Sequence, residues 1–263
     1  MKNQIKIIFS DIDCTLLNHG HDDHVFDIPS IEMLKKAQKK GIKVFLCTAR
    51  PYHSVKGCGV LDLFTPDGIV CTNGAVVFVG DKLIHNHTFP NQIIKDIIKV
   101  AHKHHITVEL SNERERWLSK KGNKYVDYYF GVFHEIYPEI RKYKEENISA
   151  ALLMCPQKFD DILYKELPKG LSGVRFTEYG VDLHLDPIYK SEGVIAALEY
   201  LNISKDNALA IGDDYGDIPM FEAVKYSIAM DNGREEAKAK ATYVAPHIDD
   251  SGVANILKEL LEL

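Results

Sequence analysis

The chain has 263 residues, of which 45% are hydrophobic, and a formal net charge of −6 at pH 7; this is the composition of a globular protein large enough for two domains. The negative charge argues against nucleic acid or an anionic membrane as a partner, because both attract basic proteins. The sequence has no apolar run of membrane-spanning length and no signal-like segment before the first strand, and we expect its five scattered cysteines to be reduced. These features predict a cytoplasmic protein.

The predicted elements alternate between strands and helices. The first is a buried strand of a parallel sheet, because the apolar, β-branched run from Ile5 leads into Asp11 and Asp13. A helix follows, with Ser30 as its N-cap and Gly41 at its end. Further strands are expected at 44–47, 68–71, near 174 and 181, at 208–211, 227–230 and near 243, with a hairpin through 79–82. Further helices are expected at 93–101, 159–164, 194–201, 218–223, 235–240 and 253–260.

The regular alternation of strands and helices is interrupted once. Beyond about residue 83 the pattern changes, and it resumes after Pro187. The interrupting block is long enough to hold a small core of its own. We therefore predict an α/β protein, with a Rossmann-like parallel-sheet core formed by 1–82 and 188–263 and an inserted α/β domain at 83–187.

Polar residues follow several of the predicted core strands. Residues i and i+2 of an extended chain point to one face, about 6 to 7 Å apart, so Asp11 and Asp13 can address one small ligand. Open α/β sheets bind ligands at the carboxyl ends of their strands. Each further polar residue would be ordinary alone, as a turn residue, a helix-start lysine or an N-cap. These further residues are Thr48, Lys190, Asp213 and Asp217. Because they are expected at the same sheet edge as Asp11 and Asp13, together they predict a functional site.

Four segments carry a resemblance to a known family. In order, they are DIDCTLL, CTARP, YKSEGVIAAL and GDDYGDIPM. They resemble the motifs of the haloacid dehalogenase superfamily of phosphohydrolases, in its Cof-type branch with an α/β cap domain, and the resemblance covers essentially the whole chain. It implies a Mg²⁺-dependent phosphatase of small phosphorylated metabolites, such as sugar phosphates or phosphorylated cofactors, that acts through an aspartyl-phosphate intermediate. The expected partner is a small-molecule phosphate ester.

The same resemblance implies a role for each site residue. The catalytic pair would be Asp11 as nucleophile and Asp13 as general acid and base. The remaining roles would be phosphoryl binding by Thr48, Ala49 and Lys190, coordination of Mg²⁺ by Asp11, Asp213 and the backbone carbonyl of Asp13, and support of the metal site by Asp217. The sequence departs from the family at Cys14, Ala49 and Gly216, where the family has Gly, Gly and an Asn that contacts the phosphate.

Phosphate-ester hydrolysis explains why such residue types are needed. It is among the slowest uncatalysed reactions, and the acceleration required reaches about 10²¹. Because an anionic nucleophile must approach an anionic ester, the Lys190 ammonium and a divalent cation are needed to neutralise charge. We expect the metal to keep Asp11 ionised and nearby carboxylates to favour the protonated form of Asp13. The alternatives are a phosphomutase or phosphotransferase, and a non-hydrolytic phosphoacceptor signalling protein.

One histidine-rich segment remains outside this scheme. It holds His19, His21 and His24 with Asp22 and Asp23. Such a group can ligate a transition metal, but so polar a segment is more typical of a solvated loop. We therefore interpret it as a loop.

Overall fold

The computed structural model describes residues 4–19, 25–132, 136–185 and 189–262. The chain divides into two compact units. Unit 1 comprises Met1–Arg50, Ser54–Asn86 and Tyr189–Leu263, and unit 2 comprises Pro51–His53 and His87–Ile188. The boundaries 82/83 and 187/188 expected from the sequence stay a prediction, and the second of them falls outside the described residues.

The strands and helices are numbered here in chain order. The strands are β1 Ile7–Ser10, β2 Leu17–Asn18, β3 Val25–Phe26, β4 Lys43–Cys47, β5 Gly68–Cys71, β6 Val76–Val79, β7 Lys82–Asn86, β8 Thr107–Ser111, β9 Arg116–Leu118, β10 Ala150–Met154, β11 Leu171–Arg175, β12 Gly180–Leu185, β13 Ala208–Gly212, β14 Tyr226–Met230 and β15 Tyr243–Ala245. The helices are α1 Ile28–Lys39, α2 Tyr52–Gly57, α3 Val60–Leu63, α4 Asn91–Lys103, α5 Lys124–Val132, α6 Asp160–Glu166, α7 Lys190–Leu201, α8 Ile218–Ala223, α9 Glu235–Lys240 and α10 Gly252–Leu261.

Unit 1 is built on an eight-stranded sheet with the order β15-β14-β13-β1-β4-β5-β6-β7. Neighbouring strands run parallel from β15 to β5, and β6 and β7 continue the sheet antiparallel. All four residues of β1 are buried, because apolar strands between two parallel neighbours are covered on both faces. The predicted α/β fold class with its parallel-dominated sheet is confirmed.

The start of α1 differs from the prediction. Its N-cap is Asp27 and not Ser30, because the Asp27 carboxylate accepts a hydrogen bond from the Ser30 backbone N–H. Pro29 stands in the first turn, where its missing N–H costs nothing. The predicted end is confirmed, since Gly41 follows the helix with φ of +85°, a conformation that glycine adopts without strain.

Unit 2 holds a five-stranded antiparallel sheet with the order β11-β12-β10-β8-β9. One face of this sheet is apolar and shares a core with α4 and α6, which includes Ile94, Ile97, Leu153 and Leu163. The tyrosine-rich segment Lys124–Val132, for which no helix or strand was predicted above, forms α5. Among the described residues of either unit, no helix is both long and apolar enough to span a membrane.

Candidate active site

The carboxyl ends of three neighbouring strands of unit 1 carry most of the expected site residues. Asp11 directly follows β1, Thr48 follows β4 and Asp213 follows β13. The parallel ladder extends into the site, because the Asp11 backbone N–H donates to the Ile211 carbonyl at 2.9 Å. Since parallel strands end at the same edge of a sheet, these side chains converge where α/β proteins bind their ligands.

Lys190, the first residue of α7, lies between two of the carboxylates. Its Nζ is 2.8 Å from Asp11 Oδ1 and 2.6 Å from Asp217 Oδ1. All three side chains are nearly inaccessible to solvent, with Lys190 only 4% exposed. Burial alone would lower the pKa of Lys190, but the charges of Asp11 and Asp217 raise it well above its ordinary value. The ammonium is therefore a fixed positive charge beside the nucleophile candidate.

Asp217 is held by hydrogen bonds on both of its oxygens. Oδ1 accepts from Lys190, and Oδ2 accepts from the backbone N–H groups of Asp213 at 2.7 Å and Asp214 at 3.0 Å. This close approach depends on Gly212, because a Cβ atom there would lie 2.3 Å from the Asp217 Cγ. With both oxygens engaged, Asp217 orients Lys190 and the loop after β13.

Three carboxylates of this edge could hold a metal ion. Oxygen atoms of Asp11, Asp213 and Asp217 all lie within 4.8 Å of one another. Burial and the charge of Asp217 raise the pKa of Asp213 to about 7, against the opposing charge of Lys190, because a nearby carboxylate favours the protonated form. Hard oxygen ligands of this kind fit Mg²⁺. The trio includes Asp217, whereas the sequence predicts Asp11, Asp213 and the carbonyl of Asp13.

Asp13 makes contacts that the sequence does not predict. Arg50 donates from Nε to Asp13 Oδ2 at 2.8 Å and from Nη2 to Oδ1 at 2.6 Å, and His19 Nε2 lies 2.6 Å from Oδ1. Burial would raise the pKa of Asp13, but the hydrogen bonds of His19 and Arg50 hold it well below its usual range. The expectation that neighbouring carboxylates favour the protonated form of Asp13 is therefore wrong for this geometry.

Two of these contact residues had weak signals in the sequence. Arg50 lies within the CTARP segment, one residue beyond the expected phosphoryl-binding Thr48 and Ala49. His19 belongs to the segment interpreted as a solvated loop, and its ring instead contacts Asp13. The other members of that segment, His21, Asp22, Asp23 and His24, lie outside the described residues.

Thr48 and Ala49, the two expected phosphoryl ligands that follow β4, differ in their exposure to solvent. Thr48 is buried, and its hydroxyl oxygen accepts from the Arg50 backbone N–H at 3.2 Å, which leaves the hydroxyl hydrogen to donate to an anion. Ala49, which lies between Thr48 and Arg50 in the chain, is exposed. Both therefore lie at the carboxyl end of β4, and their role toward a phosphoryl group stays a prediction.

The structure also shows how the chain accommodates two departures from the family motifs. Cys14 has φ of +55°, a left-handed conformation that is costly for a residue with a side chain. Burial and the charge of Asp213 raise the pKa of the Cys14 thiol to about 12, so it stays protonated and unreactive at neutral pH. Gly216 lies outside the left-handed region, and a Cβ added there would meet no atom within 4 Å.

Comparison with known proteins agrees with the fold and the motifs. The family model of the haloacid dehalogenase-like hydrolases matches residues 8–257. The chain is 24% identical to phosphatase YwpJ of Bacillus subtilis, over 98% of this chain and 100% of that protein. It is also 24% identical to phosphoglycolate phosphatase 1 of Saccharolobus solfataricus, over 98% and 96% of the two chains.

The solved structures give the same result for the fold. A hypothetical protein from Geobacillus kaustophilus HTA426 superposes with a TM-score of 0.90 and 24% identity, covering 98% of this chain and 100% of that one. The match of the family model extends over nearly the whole chain and includes all four motifs. The chain therefore belongs to the haloacid dehalogenase-like hydrolases, the family that its motifs predict.

Proposed function

We propose that this hydrolase cleaves phosphate monoesters of small metabolites in a Mg²⁺-dependent reaction that passes through an aspartyl phosphate on Asp11. The family and the relatives named phosphatases support the class of phosphoric monoester hydrolases. The observation that carries the proposal is the buried ammonium of Lys190 between Asp11 and Asp217, at the edge where Asp213 also lies. That arrangement combines a carboxylate nucleophile with a fixed positive charge and oxygen ligands for a cation.

Charge neutralisation is the main task of the site. The ester and Asp11 are both anionic, so their approach is repulsive unless positive charge is fixed nearby. Lys190 supplies one such charge through its 2.8 Å contact with Asp11. Mg²⁺ bound by Asp11, Asp213 and the backbone carbonyl of Asp13 would supply further charge neutralisation at the phosphoryl oxygens. Asp217 would keep Lys190 and the Asp213 loop in position through its hydrogen bonds.

The transfer itself needs two proton movements, and we assign both to Asp13. A carboxylate oxygen of Asp11 bonds to phosphorus as the ester oxygen leaves, and Asp13 protonates that oxygen. Water then attacks the aspartyl phosphate while Asp13 accepts its proton. The ionised Asp13 held by Arg50 and His19 suits the second step. Before the first step Asp13 must gain a proton, which requires its contacts with Arg50 to loosen.

The first test is replacement of the nucleophile. Asp11→Asn keeps the side-chain volume but removes the attacking oxygen's charge, so we expect phosphate release from 4-nitrophenyl phosphate with Mg²⁺ to fall by at least a thousandfold. The matched control is Asp206→Asn, which changes an exposed aspartate of the same unit and is expected to keep full activity. Phosphate release by Asp11→Asn at the rate of the control would contradict the proposal.

The same assay separates hydrolysis from phosphoryl transfer. A phosphatase releases inorganic phosphate at the same rate as nitrophenol in water alone, whereas a phosphotransferase needs an added acceptor alcohol for full turnover.

We also propose a cytoplasmic location, because all five cysteines are free thiols, which is the common state in a reducing compartment.

A further inference from the structure

The turn that follows Asp13 has a strained backbone at Cys14. Its φ of +55° lies in the left-handed region, where a residue with a side chain is less stable than glycine. Two hydrogen bonds close the turn: the Cys14 N–H donates to the Leu17 carbonyl at 2.8 Å, and the Leu17 N–H donates to the Ile12 carbonyl at 2.8 Å. A residue stays in this conformation only if the contacts around it offset the cost.

The turn controls the direction of two groups that the proposed function assigns to the metal ion. The Asp13 carbonyl and the Cys14 N–H belong to one peptide unit, and in the trans form the two point in opposite directions. Because that N–H is bound to Leu17, the direction of the Asp13 carbonyl is fixed as well. Next along the turn, the Thr15 hydroxyl donates to Asp213 Oδ1 at 3.3 Å. A change of the backbone at Cys14 would therefore move both proposed ligands.

Asn232, in the loop after β14, binds the other side of Cys14. Its Nδ2 donates to the Cys14 carbonyl at 2.8 Å, and its Oδ1 accepts from the Ile248 N–H at 3.0 Å. A backbone carbonyl can only accept and a backbone N–H can only donate, so the amide of Asn232 fits in one orientation. The side chain is thus matched to both partners.

The loop of Asn232 is itself fixed to the loop after β13. The Arg234 N–H donates to the Asp213 carbonyl at 2.8 Å. Gly233 lies so close to Asp213 that a Cβ atom there would be 2.5 Å from the Asp213 carbonyl oxygen. All of these residues belong to unit 1. Asn232 therefore binds Cys14 from a loop that already contacts a proposed metal ligand.

We propose that Asn232 is a positioning residue that holds Cys14 in its left-handed conformation and so orients the Asp13 carbonyl and Asp213 for Mg²⁺. The inference rests on the proposed function for the identity of the ion, and the hydrogen bonds of the turn carry the rest. It explains how a residue other than the glycine of the family motif can occupy position 14. Since glycine would need less support there, positions 14 and 232 should be energetically coupled.

Amide hydrogen exchange in metal-free protein tests the hold on the turn. With a chelator present, Asn232→Ala is expected to speed exchange of the Cys14 and Leu17 amides by about three- to tenfold, the equivalent of one hydrogen bond. The matched control is Asn207→Ala, because Asn207 also belongs to unit 1 and its Nδ2 donates to a backbone carbonyl, that of Gln4, at 2.6 Å. It should leave both exchange rates unchanged. Equal rates in Asn232→Ala and in the control would overturn the inference.

Mg²⁺ binding, measured by calorimetry without substrate, tests the link to the metal ligands. Asn232→Ala is expected to raise the Mg²⁺ dissociation constant by about three- to tenfold. In a Cys14→Gly background the same substitution should raise it less than twofold, because glycine adopts the left-handed conformation without strain. A general loss of stability would not produce this dependence on residue 14. An equal loss of affinity in both backgrounds would show that Asn232 does not act through Cys14 and would refute the proposal.

Failure of this inference and failure of the proposed function give different results. If the unsubstituted protein binds no Mg²⁺ and hydrolyses no phosphate ester, the proposed function is wrong, and the metal-positioning role of Asn232 is wrong with it. If Mg²⁺ binds and supports hydrolysis of 4-nitrophenyl phosphate, but Asn232→Ala changes neither the Mg²⁺ affinity nor the exchange of the Leu17 amide, the proposed function stands and the role of Asn232 is wrong.

Discussion

At the scale of single residues, the ammonium of Lys190 decides how the site is held together. It compensates two carboxylates, Asp11 and Asp217, that are 6% and 1% exposed. Breaking a buried ion pair from one side leaves an uncompensated charge, which costs more than removing both partners. The stability of the site therefore depends on the balance of charges and not on any one contact.

We expect Lys190→Met to lower the free energy of unfolding by about 3 to 5 kcal/mol, because it keeps the aliphatic stem but leaves two buried carboxylates unpaired. The double variant Lys190→Met/Asp217→Asn should lose less unfolding free energy than the sum of the losses in the two single variants, by about 1 to 3 kcal/mol. Urea unfolding in the presence of a chelator measures all four proteins of this cycle. Strict additivity would show that Lys190 and Asp217 are not coupled.

Gly216 offers a second test at this scale. Its backbone is outside the left-handed region and the space beside it is open, so Asn can be introduced without backbone strain. If Gly216→Asn restores a hydrogen bond to a charged phosphoryl oxygen, worth about 1.5 to 3 kcal/mol, kcat/KM should rise roughly ten- to a hundredfold. The assay measures kcat/KM with 4-nitrophenyl phosphate and with the phosphorylated metabolite that the unsubstituted protein hydrolyses fastest. No rise with either ester would show that the missing amide is not limiting.

The sequence predicts the backbone position of a site residue better than the direction of its side chain. Asp11 and Lys190 could be placed because strand ends and motif order are local properties of the chain. The contacts of Asp13 with Arg50 and His19 could not, because they depend on side-chain rotamers across separate loops. The same is true of the left-handed backbone at Cys14, since Cys carries no general signal for that conformation.

At the scale of elements, Asp67 joins α1, β4 and β5 of unit 1. Its carboxylate accepts from Gln38 of α1 at 2.9 Å and from Lys43 and the Val44 backbone N–H of β4, at 2.7 and 3.0 Å. Asp67 itself immediately precedes β5. The Asp67 side chain thus fixes the end of α1 and the start of β4 beside the start of β5.

The Asp67 contacts make stability depend on pH. Burial would raise the pKa of Asp67, but the hydrogen bonds from Gln38, Lys43 and Val44 outweigh it and lower the pKa. Because the folded pKa is depressed, the stabilisation is present above the unfolded pKa of about 3.9 and is lost as pH falls through the folded value. We expect Asp67→Asn to cost about 1 to 2 kcal/mol at pH 7 and the difference from the unsubstituted protein to narrow below pH 4.

Urea unfolding at pH 7 and at pH 3.5 measures this difference. The exposed Asp206→Asn substitution serves as the control and should show no difference at either pH. A constant cost of Asp67→Asn at both pH values would contradict an electrostatic role for Asp67.

The elements most accurately predicted from the sequence are those whose apolar pattern is set by burial. The predicted ranges for β5 and α8 agree with the observed ones, because turn residues or charges bound their apolar stretches. The range of α9 also agrees, although this helix buries only Ala237. The short hairpin of β2 and β3 and the helix α5 had no such pattern. Two-residue strands carry no periodicity, and aromatic residues are common in strands as well as helices.

At the scale of the whole molecule, each of the two units has its own hydrophobic core. The proposed metal ligands Asp11, Asp13 and Asp213 all belong to unit 1. A ligand stabilises the state that binds it by RT ln(1 + [L]/Kd), about 1.4 kcal/mol at tenfold excess over Kd. That stabilisation acts on the opening of the unit that holds the ligands.

We therefore expect Mg²⁺ to slow amide hydrogen exchange in β1 and β13 of unit 1, by up to about tenfold where exchange requires opening of the whole unit. Exchange in β8 and β10 of unit 2 should stay within twofold, because these strands carry none of the metal ligands. Asp213→Asn should abolish the effect of Mg²⁺ on unit 1, and the exposed Asp206→Asn should retain it. Equal protection of both units by Mg²⁺, or protection that survives Asp213→Asn, would place the ion elsewhere and would remove Asp213 from the proposed metal site.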